Sequence, residues 1–276
     1  MSTLIATEEP RVSLPPGVKV TQFRLIASEW VKLRSLRSTY LAFTATVVAM
    51  VGLGTLFSAL TASRWATLDP ERKAGFDPTD VSLRGAFLAQ LIIGVLGVLV
   101  VSGEYGTGMI RSSFSAAPKR LPVLWAKLVV FGAASLVVCT VSAFVAFFAG
   151  QWMLSSEHID TTLSAPGVFR AVLGTGLYLT VVGLIGVALG WIIRHTAGAI
   201  GTLFGILLIL PVLLSALPDS WGRHINPYVP SNAGQEVMTV HPEPGMLAPW
   251  TGFAVFCAYL IAAIVVAAVL LRHRDA

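Results

Sequence analysis

Six long apolar stretches, none of which contains an Asp, Glu, Lys, Arg or His residue, constrain the fold of this chain more than any other feature. They are 18 to 27 residues long, and about 20 helical residues cross the hydrocarbon core of a bilayer. We therefore expect an all-α, polytopic membrane protein with six transmembrane helices. The predicted spans are Tyr40–Ala62, Gly85–Ser102, Leu128–Leu154, Ala171–Ile193, Ala197–Leu217 and Trp250–Leu271.

The composition leaves no room for a separate soluble domain. Hydrophobic residues make up 55% of the chain and charged residues 12%, whereas soluble domains contain about 25% charged residues. The strands of a membrane barrel would be about 10 residues long and would alternate in polarity, which these stretches do not. We predict a disordered cytoplasmic tail over residues 1–22 and one transmembrane domain over residues 23–274.

The absence of ionisable residues from the predicted spans limits the possible functions. Ion-coupled transporters and proton pumps usually carry an ionisable group at depth in the membrane, and an intramembrane protease needs an acid, a base or a metal ligand there. An intramembrane enzyme is therefore disfavoured. Two hypotheses stay open: a transport subunit whose energy enters from outside the membrane, and a structural or regulatory membrane protein without transport activity.

The basic residues are distributed unevenly between the two sides of the predicted bundle. Of the 19 Lys and Arg residues, 13 lie on the side of the N-terminus and 6 on the opposite side. The acidic residues are divided the other way, five and nine, so the net charge is +8 on the first side and −3 on the second. The positive-inside rule then predicts that both termini are cytoplasmic. The net charge of +5 reflects this topology, and we predict no nucleic-acid partner.

An amphipathic segment precedes the first span. Its apolar residues recur at helical spacing, and Glu29, Lys32 and Arg34 occupy another sector of the helix. We expect a helix in the cytoplasmic interface, with its basic residues facing lipid phosphates and Trp30 as an anchor in the bilayer. The alternative is a charged flank that only orients the first span. The apolar positions are Phe23, Ile26, Ala27, Trp30 and Leu33.

The segment between the second and third spans has the richest pattern. Glycines at its start favour a sharp turn, Thr107 is placed to cap a short helix, and Pro118 is placed to end it. We expect a short cytoplasmic helix, followed by a third helix that begins near Pro122 and projects beyond the bilayer, with Lys127 extending to the interface. Glu104 either contacts a partner, fixes the loop itself or is an ordinary solvated residue. The candidate functional residues of this segment are Glu104, Tyr105, Gly106, Thr107, Gly108, Arg111, Pro118 and Arg120.

Glycine pairs at small-x-x-x-small spacing allow transmembrane helices to approach closely. We expect Gly186/Gly190 and Gly201/Gly205 to pack the fourth span against the fifth across their short connection, Arg194–Thr196. The candidates for a contact between two copies of the chain, or for the wall of a pathway, are Gly94, Gly97, Gly201 and Gly205. The alternative is that these four glycines pack only within one subunit.

The proline-rich segment Pro218–Pro249 is too apolar and aromatic for a free linker, so we expect short helices that fold back onto the outer interface. Its two histidines, His224 and His241, are too few for a zinc site, and we predict no metal and no other cofactor. Cys139 and Cys257 both lie within predicted spans, where they are expected to serve as packing residues.

The chain resembles the membrane permeases of ABC exporters of the ABC type 2 class over residues 23–274. The resemblance rests on the basic helix Ser28–Arg34, on the loop Gly103–Gly108 that continues through Pro118-Lys119-Arg120, and on the proline-rich outer segment. It implies six helices per subunit, a second permease subunit in a homo- or heterodimer, and a separate ATPase subunit on the cytoplasmic face. The loop helix after the second span would then be the coupling helix that docks into the ATPase.

The resemblance further implies a bacterial cell membrane location, export rather than import, and a pathway lined by the second and fifth spans. The chain contains no Gly-x-x-x-x-Gly-Lys-Ser/Thr sequence, so we expect ATP hydrolysis in the partner and no catalysis by this chain. The spans are largely apolar with few amides and hydroxyls, which suits an amphipathic cargo.

Overall fold

Helices form all the regular secondary structure of residues 21–110, 120–216 and 224–273, which are the residues that the computed structural model describes. In chain order they are α1 (Gln22–Ser35), α2 (Arg37–Arg64), α3 (Pro70–Ala74), α4 (Pro78–Leu83), α5 (Ala86–Gly106), α6 (Arg120–Leu154), α7 (Val168–Ile193), α8 (Thr196–Phe204), α9 (Leu210–Ser215), α10 (Pro230–Gln235) and α11 (Pro249–His273). Short 3-10 helices occupy Trp65–Thr67, Ser155–Glu157, Asn226–Tyr228 and Glu236–Met238.

Six helical segments are long and apolar enough to cross a membrane, which confirms the predicted all-α polytopic fold. The first, second, third, fourth and sixth spans are α2, α5, α6, α7 and α11, and the fifth span begins with α8. The third helix contains 35 residues, about 52 Å at 1.5 Å per residue, so it is longer than a bilayer core is thick. The predicted disordered tail lies outside the described residues, apart from the start of α1.

The fourth span is the centre of the bundle. In its most apolar stretch 78% of the residues are buried, compared with 17% in the fifth span. Neighbouring helices pack closely against its glycines. A Cβ atom on Gly186 would collide with the carbonyl oxygen of Gly94, and one on Gly190 would lie 2.9 Å from Cβ of Val101. The expectation that Gly186 and Gly190 face the fifth span is therefore wrong, because they pack against the second.

The fifth span is irregular. After α8 the chain widens into a π-helical turn at Gly205–Ile209 before it continues as α9. Pro211, in the first turn of α9, has no N–H group to donate to the preceding turn, which accounts for the break in the regular hydrogen-bond ladder. Hydrophobic side chains along this break, Ile209, Val212 and Leu213, are exposed.

Short helices cover the end of the bundle opposite α1, here called the far side. α4 lies against the first and third spans, where a Cβ atom on Gly150 would meet the side chain of Ser82. α10 lies against the sixth span, since a Cβ atom on Gly252 would come 2.5 Å from the carbonyl oxygen of Ala233. The predicted short helices of the proline-rich segment are present over residues 226–238, whereas residues 239–248 contain no helix.

Candidate functional site

α1 packs against the start of the third helix and presents a charged residue to it. Thr21 caps α1 by accepting the backbone N–H of Arg24 at 3.4 Å, and Nε2 of Gln22 donates to the carbonyl oxygen of Pro122 at 3.0 Å. The buried residues of α1 are Glu29 and Leu33, whereas Trp30 is 47% exposed. The polar sector of this helix is therefore corrected at Glu29, which faces the bundle instead of the interface. The outward-facing Trp30 is compatible with the predicted anchor, which stays a prediction.

Four charged side chains meet where α1 packs against the bundle, two of them from α1 itself. We call them the ion cluster: Glu29, Lys32, Glu104 and Lys127. Nζ of Lys127 donates to Oε2 of Glu29 at 2.7 Å and to Oε1 of Glu104 at 2.9 Å. Nζ of Lys32 donates to Oε1 of Glu29 at 2.7 Å and to Oε1 of Glu104 at 3.2 Å. Two ammonium groups and two carboxylates thus join α1 to the ends of the second and third spans with no net charge.

The ion cluster is shielded from solvent. The exposed fraction of the side chain is 3% for Lys127, 6% for Glu104, 7% for Glu29 and 26% for Lys32. Burial of charges costs several kcal/mol per ion unless the partners are close and hydrogen-bonded, as they are here. The cluster is therefore stable only while each of its four members keeps its place.

The titration of the two α1 members reflects this pairing. Burial disfavours the charged form of Glu29, but the attraction and hydrogen bonds of Lys127 and Lys32 outweigh it and lower the pKa of Glu29 below its ordinary value. Burial likewise opposes the charge on Lys32, but its bonds to Glu29 and its attraction to Glu104 raise the pKa of Lys32. Both groups are therefore charged near neutral pH.

The structure decides between several expectations for these residues. Lys127 does not extend to the interface as predicted, because its ammonium group is held by two carboxylates within the protein. Glu104 is not a solvated helix end, and its position favours the alternative in which it fixes the loop. Its Oε2 atom is buried and has no hydrogen-bond partner among the described residues.

The rest of the predicted coupling segment is described as far as Ile110. Gly106 is the last residue of α5, and Gly108 adopts a positive φ of 74°, which accounts for a glycine at the turn. The hydroxyl of Thr107 donates to the carbonyl oxygen of Gly103 at 2.9 Å, so Thr107 closes α5 rather than capping a following helix in this arrangement. Arg111 and Pro118 lie outside the described residues, and Arg120 begins the third helix.

Tyr105 connects the coupling segment to the turn between the fourth and fifth spans. Its ring meets the ring of Trp191 edge to face at a centroid distance of 5.9 Å, and the guanidinium carbon of Arg194 lies 5.2 Å from its centroid. Nearby, the hydroxyl of Thr196 donates to that of Ser102 at 2.9 Å. The sequence indicated no role for Trp191 or Arg194, because their contacts with Tyr105 join residues that are far apart in the chain.

A cavity of about 290 Å³ opens beside the ion cluster. Leu33, Leu99 and Phe131 contribute to its apolar walls, and the charged members of the cluster line one side. The cavity therefore borders the charged atoms of the cluster on one side and apolar side chains on the others.

The four predicted contact glycines fall into two groups. A Cβ atom on Gly97 would collide with the carbonyl oxygen of Gly183, and one on Gly94 would lie 2.6 Å from Cδ2 of Leu203. Gly94 and Gly97 therefore pack within the subunit, as the alternative interpretation of these glycines predicts, and they are not available for a second copy. A Cβ atom added to Gly201 or Gly205 would meet no neighbouring atom within 4 Å, so their face of the fifth span is open. The expectation that this pair packs against the fourth span is therefore wrong.

Two polar networks at the far side connect elements that the sequence does not pair. The hydroxyl of Tyr178 donates to Oε1 of Gln90 at 2.6 Å, and Nε2 of Gln235 approaches the same hydroxyl at 3.4 Å. Gln151 donates to the hydroxyl of Ser82 at 2.9 Å and accepts the backbone N–H of Thr161 at 2.7 Å. These bonds hold the far-side connections to the second, third and fourth spans.

The comparison with known families agrees with this architecture. The sequence model of a family described as ABC-2 family transporter protein matches residues 25–215, which include most of α1, the ion cluster and the first five spans. The match covers more than half of the chain, and the chain belongs to this family. It is an ABC-2 type membrane permease, a multi-pass component of an ABC transporter. No curated protein sequence matches the chain at a significant level.

Proposed function

We propose that this permease forms the translocation pathway of an ATP-driven exporter in the bacterial plasma membrane and is energised by a separate ATPase subunit. In this proposal both termini are cytoplasmic, a second permease subunit completes the pathway, and the chain itself catalyses no reaction. The family supports the association with an ATPase and with the membrane. The distribution of Lys and Arg residues supports the orientation.

The observation that carries the proposal is the ion cluster. Residues 107–119 connect the second span to the third, and the two spans contribute Glu104 and Lys127 on either side of this connection. Glu29 and Lys32 add α1 to the same unit. A partner that pushes on the connection therefore acts on the ends of two spans and on α1 together.

The energetics favour movement of these elements as one body. Separation of Lys127 from its carboxylates would leave buried charges uncompensated, which costs about 3–5 kcal/mol in comparable buried pairs. Tyr105 extends the contact to the end of the fourth span through Trp191. A displacement at the ATPase is thus transmitted to the central helix of the bundle.

The proposed pathway lies at the face of the fifth span that the subunit leaves open. Gly201 and Gly205 allow a second subunit to approach closely there. A single cysteine at Gly205, in a chain without Cys139 and Cys257, is expected to form a symmetric disulfide-linked dimer. A cysteine at Gly97 is expected to form none, and the opposite pattern would place the contact between subunits elsewhere.

Photo-crosslinking tests the docking of the ATPase. A photoreactive amino acid at Met109, which is 40% exposed and lies in the connection, is expected to give an adduct with the ATPase subunit in intact membranes. The same probe at Lys73 of α3, on the far side, serves as the matched control and should give none. An ATPase that copurifies with the chain but forms adducts only from Lys73 would reverse the proposed orientation. Failure to isolate any ATPase complex would favour a structural or regulatory protein.

A further inference from the structure

A second, apolar cleft lies on the outer side of α1. It has a volume of about 360 Å³, within the range of roughly 300–1,000 Å³ that is typical of ligand pockets. α1 and the start of the first span, including Phe43, form one wall, and the third span forms the other. Two successive alanines, Ala133 and Ala134, make the cleft possible because larger side chains there would fill it.

The rim of the cleft carries hydrogen-bond donors that lack partners. Trp30, Arg34 and Tyr40 all line it, and none of their side chains forms a hydrogen bond or ion pair with a residue that the structure describes. Arg37, an exposed cation, begins the first span immediately beyond this rim. The cleft thus combines the indole of Trp30, the phenol of Tyr40 and the guanidinium of Arg34 at its rim with an apolar lining below them. Such side chains are favoured at the boundary between lipid headgroups and acyl chains.

We propose that this cleft is a specific site for one anionic phospholipid of the leaflet in which α1 lies. Its phosphate is bound by Arg34, with Trp30 and Tyr40 as neutral donors at the rim, and one acyl chain lies over Ala133 and Ala134. Because no described acidic residue pairs with Arg34, its positive charge selects an anionic headgroup over a zwitterionic one. The nearly continuous apolar lining below the rim excludes a polar peptide as the occupant.

Occupancy of this site would stabilise the position of α1. Leu33 lines the cleft and also lines the cavity beside the ion cluster, so it separates the lipid site from Lys32 and Glu104. A bound acyl chain packs against one side of Leu33 while the cluster holds the other. The lipid site therefore acts on the same helix that the ion cluster ties to the spans.

Lipid retention by the purified full-length chain tests this proposal. The protein is prepared in mild detergent and equilibrated with equal amounts of phosphatidylglycerol and phosphatidylcholine, and retained lipid is counted by native mass spectrometry. The wild type is expected to retain one phosphatidylglycerol molecule preferentially. Arg34→Gln should weaken this retention about fivefold, the effect of one basic residue at an anionic lipid surface. Arg34→Lys should retain most of the preference.

Matched controls separate a specific site from the lipid annulus. Arg64→Gln, at the far end of the first span, should leave retention unchanged. Ala134→Phe should reduce retention of both lipids because it fills the cleft, whereas Ala262→Phe on the exposed face of the sixth span should not. Equal retention of the two lipids by the wild type, or equal losses in Arg34→Gln and Arg64→Gln, would overturn the proposal. If Arg34→Gln fails to fold, the comparison of Ala134→Phe with Ala262→Phe decides.

Discussion

Replacement of Lys127 by methionine removes the cation that bridges the two carboxylates of the ion cluster. Methionine is similar in length and apolar, so the substitution changes the charge more than the packing. Glu29 and Glu104, with side chains only 7% and 6% exposed, would then share the single remaining cation, Lys32. Loss of one partner of a buried pair costs about 3–5 kcal/mol, and the contacts of Lys32 at 2.7 and 3.2 Å place the expected cost near the lower limit.

The thermal unfolding temperature in detergent is a suitable measure of this cost. At about 2–4 °C per kcal/mol for chains of this size class, Lys127→Met should unfold about 6–12 °C below the wild type. Lys73→Met is the matched control, because the ammonium group of Lys73 lies 5.5 Å from the ring centroid of Trp65 and this cation–π contact contributes about 0.5–1 kcal/mol. A decrease for Lys127→Met no larger than that for Lys73→Met would refute the assignment of Lys127 as the centre of the cluster.

A double-mutant cycle isolates the pair from the rest of the cluster. In Lys127→Met, both Glu29 and Glu104 lose the ammonium group of Lys127. The additional Glu29→Gln substitution removes one of these two carboxylates. The double variant should therefore be less destabilised than the sum of the two single variants by about 0.5–3 kcal/mol. Strict additivity of the two single effects would show that Glu29 and Lys127 do not interact.

Three further predictions concern pH, packing and the far side. The pKa of Glu29 lies below its ordinary value of 4.5, so the charged Glu29 stabilises the folded protein above pH 4.5, and this stabilisation is lost as the pH falls further. The difference in unfolding temperature between the wild type and Glu29→Gln should therefore become smaller in acid. An unchanged difference in acid would contradict the pairing. Gly97→Ala should lower the free energy of unfolding by about 1–3 kcal/mol, because its methyl group collides with the backbone of Gly183. Gly201→Ala meets no neighbour and should leave the stability of one subunit unchanged. Equal unfolding temperatures of the two variants would be inconsistent with this packing. Gln151→Leu should lower the free energy of unfolding by about 1–3 kcal/mol for each polar group that it leaves without a partner at the far side. An unfolding temperature equal to that of the wild type would argue against the network.

The spans were predictable from the sequence because membrane insertion is decided locally. A long uninterrupted apolar run indicates a transmembrane helix without any information from distant residues. Each of the six predicted spans corresponds to a helical segment in the structure. The helix ends extend beyond the predicted limits, for example from Ser102 to Gly106 in the second span, because charged and glycine residues continue a helix outside the hydrocarbon region.

The ion cluster could be only partly foreseen. Glu29 and Glu104 are the only acidic residues between residues 20 and 270 on the side of the N-terminus, which singled out Glu104. Their pairing with Lys127 depends on the packing of α1 against the third helix, a contact between residues 98 positions apart in the sequence. Hydropathy places α1 at the interface but does not determine which of its faces turns inward.

The glycines show the same limit. Gly94 and Gly97 in the second span and Gly201 and Gly205 in the fifth carry similar signals in the sequence. The first pair packs against neighbours inside the subunit, and the second pair faces open space. Small residues indicate close approach to another helix, and only the three-dimensional arrangement identifies the partner.

Cargo-stimulated ATP hydrolysis by the reconstituted complex tests the central claim most directly. The complex of this permease with its ATPase subunit is assembled in lipid nanodiscs with wild-type chain, with Glu104→Gln, or with Glu71→Gln on the exposed α3 as control. We expect that Glu104→Gln still assembles, as shown by the adduct from Met109, but loses most of the stimulation by an amphipathic cargo. Glu71→Gln should retain it. Full stimulation in the folded Glu104→Gln complex would contradict transmission through the ion cluster.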